Sequence, residues 1–415
     1  MKQRLHIAQF TNTYFPVVSG VVRSVSTFRQ ALSQLGHNVF IFAQQSHDYE
    51  DTEPFIFRYP ALDLPLMSGF PLTIPISPFN DKLLPLLGLD VIHSHHPFLL
   101  GQTAAHKASE LDLPLVFTYH TRYQEYSHYV SLNQEFIKEA ISRWLGEYMH
   151  HCHHIVVPSE SIKTILSEEY GVSEQVTAIP TGIDLEPYQQ ADGQAVRQAR
   201  GWAGDTVLIS VGRLAKEKNW HMLLEAVARA IGKREHTRLV VIGDGEERQA
   251  LEDHATDLNI ADKVEFIGII PFADIPGYLK AADLFCFASL TETQGLVTME
   301  AMAAGLPVVA VDASGTRDVV EDGAQGFLTL NDPEALARAI EHMVRDKALR
   351  ERCRASAWEK AQTFEMKHQA EKLVEVYHQA IADKQAGRLV SPDNQKEVFQ
   401  VIDETQWSRF FASKS

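Results

Sequence analysis

Two carboxylates, Glu292 and Glu300, flank Gly295 in the stretch TETQGLVTMEAMAAGLP, Thr291–Pro307. Acids this close can form an acid/base pair, a metal site, or two solvated positions on one helix. Their neighbours narrow the choice. Gly295 followed by LVTMEAMAAG reads as a loop running into a helix, which Gly305 ends and Pro307 keeps from continuing. The first amides of that helix, those of Gly295, Leu296 and Val297, have no partner inside it, and the positive end of its dipole points the same way. Such a place suits phosphate. A carboxylate beside phosphate is unfavourable, so the acids are expected to hold sugar hydroxyls. Glu300, in the first turns, would reach a hydroxyl pair near the phosphate. Glu292, ahead of the helix, would face whatever hangs beyond it.

Three other stretches could work on the same molecule. SVGRLAKEKNW puts Arg213 and Lys218 just after a strand, where cations can neutralise a diphosphate leaving group. TNTYFPVVSGVVRSV joins a first strand to a first helix, and Gly20 lets backbone come close to a ligand there. This is not a GxGxxG pattern, so a dinucleotide cofactor is not expected. VFTYHTRYQEY places His120 at the end of a strand as a hydrogen-bond or proton-transfer group. The clusters HSHH (His93, His95, His96) and HHCHH (His150, His151, His153, His154 around Cys152) raise a metal reading. The second would fan around a helix end, and no further ligand set has metal spacing, so no metal is expected.

These loops need a scaffold, and the chain alternates strand-like and helical patterns almost throughout. LHIAQF, NVFIFA, DVIHSH, PLVFTY, HIVVPS and VTAIP read as strands of a first half. Between the first two, Val21, Val22, Val25, Phe28, Leu32 and Leu35 recur at helical spacing, and Gly36 suits the residue after the helix. TVLISVG, RLVVIGDG, KVEFIG, DLFCFA and LPVVAV form a second set. Apolar strands bounded by helices predict parallel sheets covered on both faces, with ligands at the strands' C-terminal ends. The expected architecture is α/β, with two Rossmann-like halves facing across a cleft. Residues 1–184 would form the first domain, 185–204 a polar linker and 205–363 the second domain. Helices at about 364–385 and a polar extension at 386–415 would follow.

One region resists this pattern. Tyr59–Phe79 holds five prolines among apolar residues, which exclude a regular helix or central strand. It reads either as an irregular segment packed on its domain or as an apolar lip for a lipid surface.

Composition sets outer bounds. Of 415 residues, 45% are hydrophobic and 22% charged, with a net charge of −16. A chain this acidic is not expected to bind nucleic acid. No apolar run reaches the roughly 18 residues of a membrane span. Its first residues run straight into a strand pattern and not a signal peptide. Cys152, Cys286 and Cys353 are odd in number and far apart, as reduced thiols are. A cytoplasmic protein is expected.

Taken together, these stretches resemble the retaining glycosyltransferases of family 4, with the two-Rossmann-domain GT-B fold, over nearly the whole chain to about residue 385. ETQGLVTME matches that family's E-x7-E signature, GRLAKEK its phosphate-binding stretch, PVVSGVV its first-domain glycine loop, and His120 the histidine near the reacting sugar. The resemblance implies that Glu292 holds donor sugar hydroxyls and Glu300 the nucleotide ribose. It also implies that Arg213 and Lys218 stabilise the departing diphosphate and that backbone near Ile270 contacts the base. Gly20, Gln294, Gly295, Leu296 and Val297 complete the implied donor site, with His120 and Glu292 the catalytic pair. The sugar would keep its anomeric configuration through front-face attack, with no cofactor beyond the UDP-sugar co-substrate. The C-terminal helices would cross back to the first domain.

TYHTRYQEYSHY together with ETQGL is similar to bacterial diacylglycerol glucosyltransferases, which implies UDP-glucose as donor and a membrane lipid as acceptor, with peripheral contact at the inner face of the cell membrane. Against that stands the first 186 residues' balance of 11 Lys plus Arg to 19 Asp plus Glu, since such enzymes tend to carry a basic first domain. A soluble acceptor or polysaccharide precursor, another UDP- or GDP-sugar, and a non-catalytic nucleotide-sugar-binding protein remain alternatives.

Overall fold

A computed structural model describes residues 4–17, 19–46, 49–62, 72–122 and 134–390, with the backbone alone for 134–138. In chain order the first half forms β1 (His6–Thr11), β2 (Asn38–Gln44), β3 (Ile56–Tyr59), β4 (Ala61–Leu62), β5 (Leu72–Thr73), β6 (Val91–Ser94), β7 (Leu115–Thr118), β8 (His154–Val157) and β9 (Val176–Ala178). Seven of these make a parallel sheet in the order β3-β2-β1-β6-β7-β8-β9, while β4 and β5 pair as a short antiparallel ribbon. The second half adds β10 (Thr206–Val211), β11 (Thr237–Ile242), β12 (Val264–Gly268), β13 (Leu284–Phe287), β14 (Val308–Val311) and β15 (Gly326–Thr329), a parallel sheet in the order β12-β11-β10-β13-β14-β15. This is the expected GT-B arrangement of two doubly wound domains.

Strands buried on both faces explain the near-continuous apolar runs: β2 and β13 are almost wholly buried. Helix Gly20–Gln34 lays Val22, Val25, Phe28, Ala31 and Leu32 on the first sheet. Full burial of each large side chain is worth roughly 1.5–3 kcal/mol. Ser19 caps this helix by accepting a hydrogen bond from the Val22 amide at 3.2 Å. In both sheets the strand order reverses at one place, between β1 and β6 and between β10 and β13. The loops after those strands therefore open a crevice at their C-terminal ends.

Helix Met366–Gln385 crosses back onto the first domain, packing Met366, Leu373 and Tyr377 with β1 and helix Gly20–Gln34. Its start is tied to the end of the first domain by Ile183 N–H donating to the Phe364 carbonyl at 2.8 Å and Met366 N–H to the Ile183 carbonyl at 3.0 Å. Gly182 makes the crossing possible, because a Cβ there would lie 2.2 Å from Met366 Cα.

Several expectations need adjustment. β3 and β15 were absent from the expected strands. β3 is only four residues long and carries Arg58, whose guanidinium is drawn inward by Asp51 and the Gln44 carbonyl. The 185–204 stretch is more than a polar linker. It forms helices Glu186–Gln190 and Gly193–Arg200, and Trp202 is wholly buried in the second domain's core. The extension is docked at its start, where Val390 N–H donates to the Cys152 carbonyl at 2.9 Å and its side chain joins the first domain's core. Residues 391–415 lie outside the described residues. So do 63–71 of the proline-rich segment, whose described flank exposes Ile76 and Phe79. The three cysteines are buried and unpaired.

Candidate functional site

The loops after β1, β7, β10 and β13 meet in a cavity of about 290 Å³ between the domains. Its lining includes Gly20, His120, Lys218, Glu292, Gln294, Gly295 and Leu296, seven of the eleven residues singled out from sequence. A broader, more open depression of about 500 Å³, lined by Lys280, Glu351, Arg354 and Trp358, lies apart from them on the second domain.

Gly295 has φ 75°, a left-handed conformation that suits glycine, and from it helix Leu296–Ala303 starts toward the cavity. Helix Gly20–Gln34 starts from the other side. A Cβ on Gly20 would sit 3.8 Å from Leu296 Cδ1, so the two helix N-termini face each other. Both present unbonded amides and the positive end of a dipole. Lys218 adds a full charge. It ends the short turn Lys216–Lys218 after β10, and the left-handed Asn219 behind it anchors on the Ala288 carbonyl at 3.2 Å. Lys218 Nζ lies 2.5 Å from Glu292 Oε1. The cleft thus gathers positive potential around one carboxylate, an arrangement for an anion with a hydroxyl-bearing group attached.

Glu292 is fixed through its backbone, since Ser314 Oγ donates to its carbonyl at 3.2 Å. Gly315, at φ 78°, allows close approach there: a Cβ would be 2.6 Å from that carbonyl oxygen. The next residues stitch the domains together. Ser159 Oγ donates to the Thr293 carbonyl at 2.9 Å and Gln294 Nε2 to the Thr181 carbonyl at 2.9 Å. Gln294 was singled out as a donor ligand; its amide N–H is spent on this interdomain bond.

Glu300 departs furthest from expectation. Its side chain is 2% exposed and ion-paired with Arg23, which reaches over from helix Gly20–Gln34 of the opposite domain. The Arg23 guanidinium also lies 4.3 Å above the Phe272 ring, two residues past Ile270, which packs against the second domain's core. The two positions expected to hold ribose and base are therefore bridged by a first-domain arginine. Sequence spacing could not show this, because the partners are 277 residues apart. Arg213 also differs, turning to Glu217 on its own turn, half exposed and outside the cavity lining. Val297 lies outside the lining too.

His120 does reach the cavity. Burial, with the neighbouring His96 and His93 imidazoles, holds it well below the usual histidine range, so it is neutral at pH 7. His95 Nδ1 lies 2.9 Å from its Nε2, with the two rings stacked at 5.2 Å. The HSHH cluster is thus part of the site's support. His93 bonds Tyr377 at 2.8 Å and Thr118 at 2.7 Å, and His96 Nδ1 accepts from the Asn12 amide at 3.1 Å. In the other cluster His153 accepts from the Leu115 amide and His154 bonds Thr177. Among the described residues no three His, Cys, Asp or Glu are grouped to hold a metal. Arg122, missed in the sequence, also lines the cavity. Its only signal there was its place two residues after His120.

Comparison with known proteins bears on the family and the fold. The profile described as Glycosyltransferase Family 4 matches residues 18–187, and that described as Glycosyl transferases group 1 matches 192–360. The alpha-monoglucosyldiacylglycerol synthase of Streptococcus pneumoniae is 32% identical over 82% of this chain and 78% of its own. That of Acholeplasma laidlawii is 33% identical over 82% and 88%. A GDP-mannose-dependent alpha-mannosyltransferase of Corynebacterium glutamicum is 27% identical over 86% and 84%. Among solved structures, the sucrose-phosphate synthase of Thermosynechococcus elongatus superposes with a TM-score of 0.75 at 23% identity, covering 91% of this chain and 100% of its own. Anabaena HepE, solved with UDP and glucose, superposes at 0.72 and 21%, covering 90% and 100%.

Proposed function

Because the chain is a glycosyltransferase of family 4 with the GT-B fold, we propose that it moves glucose from UDP-glucose to the hydroxyl of diacylglycerol, retaining the anomeric configuration. The observation that carries the donor half is the convergence of two helix N-termini and Lys218 on one cavity. That arrangement favours a diphosphate and stabilises it further as it leaves. Glu292 and His120 flank the same cavity and take the sugar hydroxyls, and Lys218 is ion-paired with Glu292. Glu300 takes the ribose once Arg23 swings away, and backbone near Ile270 takes the base. UDP departs from the face at which the acceptor attacks, so neither glutamate serves as a covalent nucleophile. No cofactor takes part beyond the UDP-sugar.

The lipid acceptor is supported by the relatives that are glucosyldiacylglycerol synthases, and by the exposed Ile76, Phe79 and Leu86 beside the proline-rich segment. No described helix is long and apolar enough to cross a membrane, so contact would be peripheral, at the inner face of the cell membrane. The test is release of UDP from UDP-sugars and of GDP from GDP-sugars, with and without diacylglycerol vesicles, combined with flotation. Release confined to UDP-glucose with diacylglycerol, and flotation with the vesicles, is expected. Release with a soluble sugar acceptor and no flotation would favour the second reading, a transferase for a soluble or polysaccharide-precursor acceptor. The acidic first domain favours that reading, and the relative that uses GDP-mannose is the reason to include GDP-sugars. No release with any sugar would leave a nucleotide-sugar-binding protein.

A further inference from the structure

His120 has two ring nitrogens, and the protein determines which one carries the proton. Its Nε2 faces His95 Nδ1 at 2.9 Å. Among the described residues its Nδ1 has no partner, and the ring lines the cavity. His95 is 1% exposed, and among the described residues its buried Nε2 has no hydrogen-bond partner. Both rings are held neutral, since burial and the adjoining imidazoles push each well below the usual histidine range.

Two arrangements of one proton per ring are then possible. If His120 donated, His95 would accept at Nδ1 and carry its own proton on Nε2, an N–H sealed in the interior with no acceptor. If His95 donates from Nδ1, its Nε2 keeps only a bare lone pair. Orphaned buried N–H groups are the rarer and costlier of the two. We propose that His95 is a positioning residue that donates to His120 Nε2, so that His120 presents an Nδ1–H donor to the cavity. It rests on the glycosyl-transfer reading only for what that donor then meets, an acceptor oxygen on the transferred sugar. A histidine side chain free in water favours the opposite tautomer, with the proton on Nε2, so His95 would hold His120 in the form that water does not select. In this form His120 supplies a hydrogen bond and does not act as a base.

The neighbouring shell is consistent. His96 Nδ1 accepts from the Asn12 backbone amide, which puts its own proton on Nε2. His93 is occupied on both nitrogens by Tyr377 and Thr118. Among the described residues none of these competes for His120.

The experiment is long-range proton–nitrogen correlation on the full chain with ¹⁵N-labelled histidine, His120 being assigned by its loss in His120→Ala. His120 is expected as the Nδ1–H tautomer in the free wild-type protein, and in His95→Asn, whose amide N–H stands where the Nδ1–H did. In His95→Leu it should revert to Nε2–H. With UDP-glucose and diacylglycerol vesicles, His95→Leu should lower kcat about 10- to 100-fold with KM for the donor within about 3-fold, and His95→Asn should recover most of the loss. A wild-type His120 protonated on Nε2 overturns the proposal, whether or not any variant folds. Equal losses in kcat for His95→Asn and His95→Leu would also overturn it. The spectrum needs no substrate, so failure to find turnover would count against the transfer reading and leave the tautomer assignment standing or falling by itself.

Discussion

Glu292 and Lys218 form one unit, an ammonium 2.5 Å from a carboxylate at the mouth of two helix N-termini. Removing either partner therefore changes more than one contact. Glu292→Ala is expected to cut kcat by a hundredfold or more, while Lys218→Ala should weaken UDP binding and blunt its salt dependence. Full turnover in Glu292→Ala would remove its catalytic role. The Arg23–Glu300 pair predicts an asymmetry. Glu300 is 2% exposed and Arg23 27%, so Arg23→Ala strands a carboxylate in the interior, whereas Glu300→Ala leaves a cation that can still reach water and the Phe272 ring. Arg23→Ala should cost about 2 kcal/mol or more, and Glu300→Ala clearly less. Thermal melts of the two variants side by side check this, and equal shifts would contradict it.

The elements show why some of this was legible and some was not. Helix Leu296–Ala303 could be read from one glycine at its start and a glycine and proline at its end, because the signals for a helix terminus are local. The same holds for the helix after Ser19 and for Lys218 at a strand's edge. What the spacing could not give was the partner of each group. Arg23 was one apolar-helix residue among many until folding set it against Glu300. His95 had no assigned role until β6 and β7 came side by side. Gly182 drew no reading from the sequence, yet its role is to let the crossing at Met366 pass. Gly182→Ala pits a methyl group against main chain that cannot move aside, and should cost about 3 kcal/mol or more. Urea unfolding followed by tryptophan emission would measure it. A neutral outcome would mean the crossing is looser than the 2.2 Å approach indicates.

At the level of the whole molecule, the buried histidines set the response to acid. Burial pushes His93 down to about 3, and His96 and His154 to about 4. An unfolded chain protonates these groups near pH 6.5. As pH falls from about 6.5 toward 4, the unfolded state takes up protons that the folded state refuses, and each histidine removes up to about 1.4 kcal/mol per pH unit. Melting temperature is expected to fall steeply across that window, and a flat profile from pH 6.5 to 4.5 would contradict the neutral, buried assignments. The crossing helix has a different consequence, one of timing. Met366, Leu373 and Tyr377 complete the core that begins at Leu5 and Ile7, so on the ribosome the earliest strands must wait for almost the last helix to emerge. The second domain, whose strands lie wholly inside that interval, can fold first. A nascent chain stalled with residues up to Thr363 clear of the ribosome should hold a protease-resistant second domain beside a first domain still open to cleavage.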